Sequence, residues 1–79
     1  MTMAKYEYDI CNIDDEDVFY KQCAALEKHI PNLEKEPLIM ADVLWQRYLL
    51  NGDKIDVWCD FYDGVIIKSD IPLEPFFKQ

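Results

Sequence analysis

The alternation of apolar and polar residues is clearest in the stretch 55–70. One set of alternate positions is apolar, and its members are Ile55, Val57, Cys59 and Phe61. This period of two is typical of a strand with one buried face. Asp63 and Gly64 follow as a turn, and a second run rich in β-branched residues occupies 65–67. The pattern therefore predicts a β-hairpin.

Two registers fit this hairpin. A two-residue turn at Asp63 and Gly64 would place Lys68 across from Cys59 on the apolar face. A three-residue loop at 62–64 would pair Phe61 with Val65 and Cys59 with Ile67, and would leave Lys68 near Trp58 on the solvent side. We prefer the second register because it sorts apolar and charged residues onto separate faces.

The outer face of the hairpin is the candidate site. Aromatic anchors contribute much of the binding energy at interfaces, and acidic rims speed the encounter with a basic partner. The candidate partner-binding residues are Asp56, Trp58, Asp60, Tyr62 and Asp63. The alternative is that a helix covers Trp58 and Ile66.

The N-terminal half predicts a strand and a helix. Alternating aromatic residues predict a strand over 5–13, with its tyrosines toward the core. A helix is expected over 15–30, with Asp14 as its N-cap and Pro31 after its end. Its buried stripe would consist of Phe19, Cys23, Leu26 and Ile30.

The segment 37–50 is ambiguous. Pro37 suits the first turn of a helix and Gly52 suits the position after its end, so we expect a second helix over 37–50. The alternative is a strand over 43–50, joined to the hairpin through Asn51-Gly52, because Asn-Gly is a strong hairpin signal.

The segment 71–79 is expected to be an extended tail, because Pro72 and Pro75 disfavour a regular helix. The side chains of Phe76 and Phe77 are expected to be shielded from water, either by the core or by another chain. Together with Trp45 they are candidate docking or dimer contacts.

The fold expected from these elements is a single α+β domain over 1–79. A small antiparallel sheet would be covered by two helices in the order β-α-α-β-β. If the second helix is a strand, the order becomes a β-α-β-β-β meander.

Charge and composition narrow the classes of partner. Sixteen acidic and eight basic residues give a net charge of −8. This disfavours direct binding to nucleic acid or to an anionic membrane. No signal or transmembrane segment is apparent, and the three unpaired cysteines favour a reducing cytoplasm.

Motifs for catalysis or metal binding are absent from the sequence. The two glycines lie in turns, a single serine has no histidine nearby, and His29 is the sole histidine. The acidic run 14–17 suits the start of a helix better than a calcium loop. We therefore expect no catalytic residues, no metal ligands and no cofactor.

The function expected is that of a small, acidic, non-enzymatic binding protein with a basic protein as its partner. Bacterial inhibitors and immunity proteins that act on nucleases or toxins are analogous in size and charge. The alternative is a structural or accessory domain that self-associates, as a homodimer through Trp45 or the Phe76-Phe77 tail.

Overall fold

A computed structural model describes residues 5–77. Its elements are, in chain order, β1 (Tyr6–Cys11), α1 (Glu16–His29), β2 (Glu34–Lys35), β3 (Ile39–Met40), β4 (Leu44–Leu50), β5 (Asp53–Asp60), β6 (Gly64–Ser69) and α2 (Glu74–Phe77). All strand pairs are antiparallel. The strands lie in the order β1-β6-β5-β4-β2, and β3 also pairs with β4.

Helix α1 packs against one face of this sheet. Its predicted stripe is confirmed, because Phe19, Cys23, Leu26 and Ile30 are all buried. They join the inward side chains of β4, β5 and β6 in one hydrophobic core. The N-cap is Asp15 rather than Asp14, and its Oδ1 accepts a hydrogen bond from the Val18 backbone N–H at 3.2 Å.

The predicted helix over 37–50 is wrong, and with it the sheet covered by two helices. Residues 44–50 form β4, as the strand alternative for this segment proposed. The chain alternates there, with Leu44 and Tyr48 facing the core and Trp45 on the opposite face. Asn51 and Gly52 have φ values of 53° and 88°. A two-residue type I′ turn has positive φ at both positions, so Asn51-Gly52 forms such a turn and connects β4 to β5 as a hairpin.

The hairpin of β5 and β6 exists, but its register differs from the preferred one by two residues. Cys59 pairs with Val65, and Asp60 pairs with Gly64. A shift of two leaves each residue on its predicted face, apart from Phe61, which lies in the loop and is 79% exposed. The loop closes early because Asp60 Oδ1 accepts hydrogen bonds from the Tyr62 and Asp63 backbone N–H groups, at 2.9 and 2.6 Å.

The C-terminal segment is not fully extended as predicted. Residues Glu74–Phe77 form the short helix α2, in which Pro75 is tolerated because first-turn N–H groups need no helical partner. Leu73 is buried, and its N–H donates to the Tyr8 hydroxyl at 3.0 Å. That hydroxyl in turn donates to Glu74 Oε1 at 2.7 Å. The part of the predicted tail at 78–79 lies outside the described residues.

Candidate functional site

The five residues predicted to bind a partner occupy two different places. Asp56 and Trp58 lie on the face of the sheet opposite α1. Asp60, Tyr62 and Asp63 lie at the loop between β5 and β6. The structure therefore does not bring the five together as one surface, and each place needs its own description.

The sheet face opposite α1 is called the open face here. It consists of Glu7, Asp9, Glu34, Ile39, Trp45, Arg47, Leu49, Lys54, Asp56, Trp58, Ile66 and Lys68. Within 5–77 no helix packs against it, because α1 and Phe76 of α2 belong to the core on the other side. The alternative in which a helix covers Trp58 and Ile66 is therefore wrong.

Two tryptophans form the centre of the open face. Trp45 and Trp58 pair across β4 and β5, and their rings stack at 4.7 Å with an angle of 10° between planes. The Arg47 guanidinium lies 4.7 Å from the centroid of Trp45, and Lys68 Nζ lies 5.7 Å from that of Trp58. Each ring is thus covered by the other ring and by a cation, which stabilises both. Trp58 is partly buried and is no free anchor.

Charges on the open face alternate along one row of the sheet. The register places Glu7, Lys68, Asp56 and Arg47 side by side on consecutive strands. Arg47 donates to Asp56 through Nε at 2.8 Å and through Nη2 at 3.1 Å. The hydrogen bond to Asp56 raises the pKa of Arg47. Arg47 and Asp56 at the centre of the open face are therefore paired with each other.

A second surface lies where the strands β1, β5 and β6 meet the start of α1. We call it the acidic end and define it as the segments 12–17, 40–43 and 60–64. One row of the sheet brings these segments together, and it consists of Cys11, Val65, Cys59, Leu44 and Met40. A depression of about 270 Å³ lies among them, and its lining includes Asp14, Glu16, Asp42, Asp60 and Phe61.

Gly64 allows two of these segments, 60–64 and 12–17, to approach each other closely. A Cβ placed on Gly64 would lie 2.7 Å from the carbonyl carbon of Asn12 and 2.7 Å from the backbone nitrogen of Ile13. Only glycine allows such an approach, and its φ of 73° also favours glycine. The hairpin loop is therefore packed closely against the chain that leads into α1.

Seven carboxylates and no lysine or arginine lie in the acidic end. The acids are Asp14, Asp15, Glu16, Asp17, Asp42, Asp60 and Asp63. The rest of the chain then contains nine acids and eight bases, so this end holds nearly all of the net charge of −8. None of the seven forms an ion pair with a residue in 5–77. Burial raises the pKa of the Cys59 thiol, and the charges of Asp14 and Glu16 raise it further.

Exposed apolar side chains accompany these carboxylates. Phe61 is 79% exposed and Tyr62 is 89% exposed, and their rings meet edge to face at 5.6 Å. Met40 and Ile13 are also exposed. Phe61 was predicted to face the core, and neither Met40 nor Asp42 was predicted to belong to a site. The signal that could have identified Phe61 is its position directly before Tyr62-Asp63-Gly64, because a three-residue loop that begins one residue earlier removes it from the strand.

The predicted docking or dimer residues do not share a surface. Trp45 lies in the stack of the open face. Phe76 packs against the core, whereas Phe77 is 40% exposed and its ring contacts that of His29 at 4.9 Å. These positions leave Phe77 as the more accessible of the two phenylalanines.

The described residues show one further polar network, which ties α1 to the sheet. The buried Tyr48 hydroxyl donates to Glu27 Oε2 at 2.6 Å, and this carboxylate pairs with Lys35 Nζ at 3.3 Å. Burial raises the pKa of Tyr48, and the Tyr48 hydrogen bond lowers the pKa of Glu27. Each of these groups has a partner within the protein, so we infer that the network stabilises the fold.

No group of three His, Cys, Asp or Glu side chains in 5–77 is placed to hold a metal ion. Neither α1 nor α2 is long and apolar enough to cross a membrane. Comparison with known proteins found no matching family, no similar curated protein and no similar solved structure.

Proposed function

We propose that this chain is a non-enzymatic binding protein whose acidic end docks onto a basic protein. The observation that carries the proposal is the exposure of Phe61 and Tyr62 among seven carboxylates, none of which forms an ion pair with a residue in 5–77. Aromatic rings provide anchors that lose area to water when a partner binds. Unpaired carboxylates around them steer a positively charged surface into place.

The accessibility of the two surfaces favours the acidic end over the open face. On the open face, Arg47 and Lys68 already lie over the tryptophan rings, and Arg47 is paired with Asp56. A partner there would have to displace these contacts. At the acidic end the rings of Phe61 and Tyr62 contact each other and otherwise face solvent.

The chemistry of this surface suits an inhibitor or immunity protein that covers a cationic site on a nuclease or toxin. Such a target needs positive charge to bind nucleic acid, and an acidic surface competes for that charge. The same chemistry suits any cytoplasmic protein with a basic patch. We therefore propose a class of partner, namely a protein with positive charge around an apolar contact surface.

Capture from the cells that produce the protein tests this proposal. Tagged wild type and Phe61→Ser/Tyr62→Ser are compared as baits, with Tyr20→Ser/Phe77→Ser as a control that removes two exposed aromatics elsewhere. We expect a basic protein on wild type and on the control, and a loss of at least about tenfold on the Phe61/Tyr62 variant. Capture should also fall between about 50 mM and about 500 mM NaCl. Equal capture by all three baits would contradict the proposal.

A further inference from the structure

The two edges of the sheet are built differently. The edge at β2 and β3 consists of two-residue strands separated by Pro37, which has no N–H to offer. Short strands and proline are devices that block the addition of another strand. The edge at β1 has six consecutive residues and no proline. The fold therefore protects one edge and leaves the other available.

The outer side of β1 has unused backbone groups. β1 pairs with β6 alone, and no residue in 5–77 forms a backbone hydrogen bond to its other side. An edge strand exposes alternate N–H and C=O groups that an extended segment can pair with. A bulge between Asp9 and Cys11 ends the regular ladder. The available stretch is therefore 6–9.

The side chains of this stretch define what could pair with it. Glu7 and Asp9 point to the open face and are exposed, and neither forms an ion pair with a described residue. They are two residues apart, so their side chains repeat at about 7 Å along the strand. Lysine or arginine at alternate positions of an added strand would lie directly beside them.

A second copy of the chain is a poor occupant of this edge. Antiparallel pairing of two β1 strands would gather Glu7 and Asp9 from both copies on one face, and like charges across strands are destabilising. The same pair of carboxylates favours a segment with alternating cations. Charge therefore selects against self-association at β1 and selects for a basic strand.

We propose that the β1 edge binds an extended protein segment with lysine or arginine at alternate positions, which adds to the sheet beside Tyr6–Asp9. The backbone of β1 supplies the hydrogen bonds, and Glu7 and Asp9 supply the preference for cations. This inference concerns a different surface from the acidic end and does not depend on the function proposed for it.

The probe for this site is a synthetic peptide of about ten residues that alternates lysine and threonine, titrated into isotopically labelled protein. We expect saturable shifts of the backbone amide signals of 6–9 and slower hydrogen exchange at the β1 amides that lack a partner in the free protein. A peptide that alternates glutamate and threonine should cause neither change. Saturable shifts centred on 60–64 or on α1, with β1 unchanged, would overturn the proposal.

Charge variants separate the β1 site from general attraction to an acidic protein. Glu7→Lys/Asp9→Lys should weaken binding of the lysine peptide by at least about tenfold. Glu34→Lys/Asp53→Lys changes the net charge equally at two other exposed acids, and it should weaken binding by less than about threefold. Equal losses in both variants would overturn the proposal. The neutral variant Glu7→Gln/Asp9→Asn should give an intermediate loss, and it serves as the test if charge reversal prevents folding.

Discussion

The open face and the acidic end contain the same kinds of residue, aromatic rings and carboxylates, in opposite arrangements. On the open face each ring and the central carboxylate have a neighbour of complementary chemistry, as Trp45 has Arg47 and Asp56 has Arg47. At the acidic end the rings are exposed, and none of the carboxylates forms an ion pair with a residue in 5–77. Residue type alone therefore does not distinguish a stable surface from a binding surface. What distinguishes them is whether each ring and each charged group has a complementary neighbour within the protein.

The geometry that creates the acidic end depends on Gly64. Gly64→Ala would drive a Cβ into the backbone of Asn12 and Ile13 at a residue with positive φ, and should lower the free energy of unfolding by about 3 kcal/mol or more. Gly52→Ala is the matched control, because its φ is also positive but nothing lies within 4 Å. It should cost about 1 kcal/mol. Urea denaturation measures the free energy of unfolding of both variants. Equal losses would mean that the backbone at 12–13 does not pack closely against Gly64.

The open face should be sensitive to the loss of one charge. Asp56→Ala leaves the Arg47 guanidinium without its bidentate partner and should lower the free energy of unfolding by about 2 kcal/mol. Asp63→Ala, at the acidic end, should change it by less than about 0.5 kcal/mol. In a double-mutant cycle, adding Arg47→Met to Asp56→Ala should cost less than the sum of the single changes. Additive losses would show that the pair does not couple.

The smallest expected effect is a change in the free energy of unfolding that has opposite signs at the two surfaces. Asp63→Lys introduces a cation among like charges and should raise the free energy of unfolding by about 0.3 kcal/mol at low salt. The gain should vanish at about 500 mM NaCl because surface charges are then screened. Asp56→Lys should instead destabilise, since it faces Arg47 and Lys68. If both substitutions shift stability in the same direction, the two surfaces do not differ in charge pairing as described.

Sequence alone predicted those elements whose pattern of apolar residues fits only one type of secondary structure. The stripe from Phe19 to Ile30 has a helical period, and 55–59 have a strand period, so both elements were found. Residues 44–50 contain Leu, Trp, Gln and Arg, which suit a helix or a strand, and the pairing of Trp45 with Trp58 decides between them. That pairing joins residues across two strands, and local propensity cannot report it.

The candidate site was predicted in part, for a similar reason. Tyr62, Asp60 and Asp63 were identified from the hairpin, but Phe61 was assigned to the core because it continued the alternation of β5. Hydrogen bonds from the Tyr62 and Asp63 N–H groups to Asp60 stabilise a three-residue loop at 61–63, one residue earlier than predicted, and Phe61 therefore lies in the loop. Met40 and Asp42 reach the site through the β3–β4 pairing, which the sequence analysis did not foresee.

The most direct test of the account is a map of the surface that a captured basic partner contacts. The amide signals of 12–17, 40–43 and 60–64 report on the acidic end, and the indole N–H signals of Trp45 and Trp58 report on the open face. On titration with the purified partner, the account predicts the largest changes at the acidic end and little change at either indole. The largest changes at the two indole signals, with 60–64 unchanged, would contradict it.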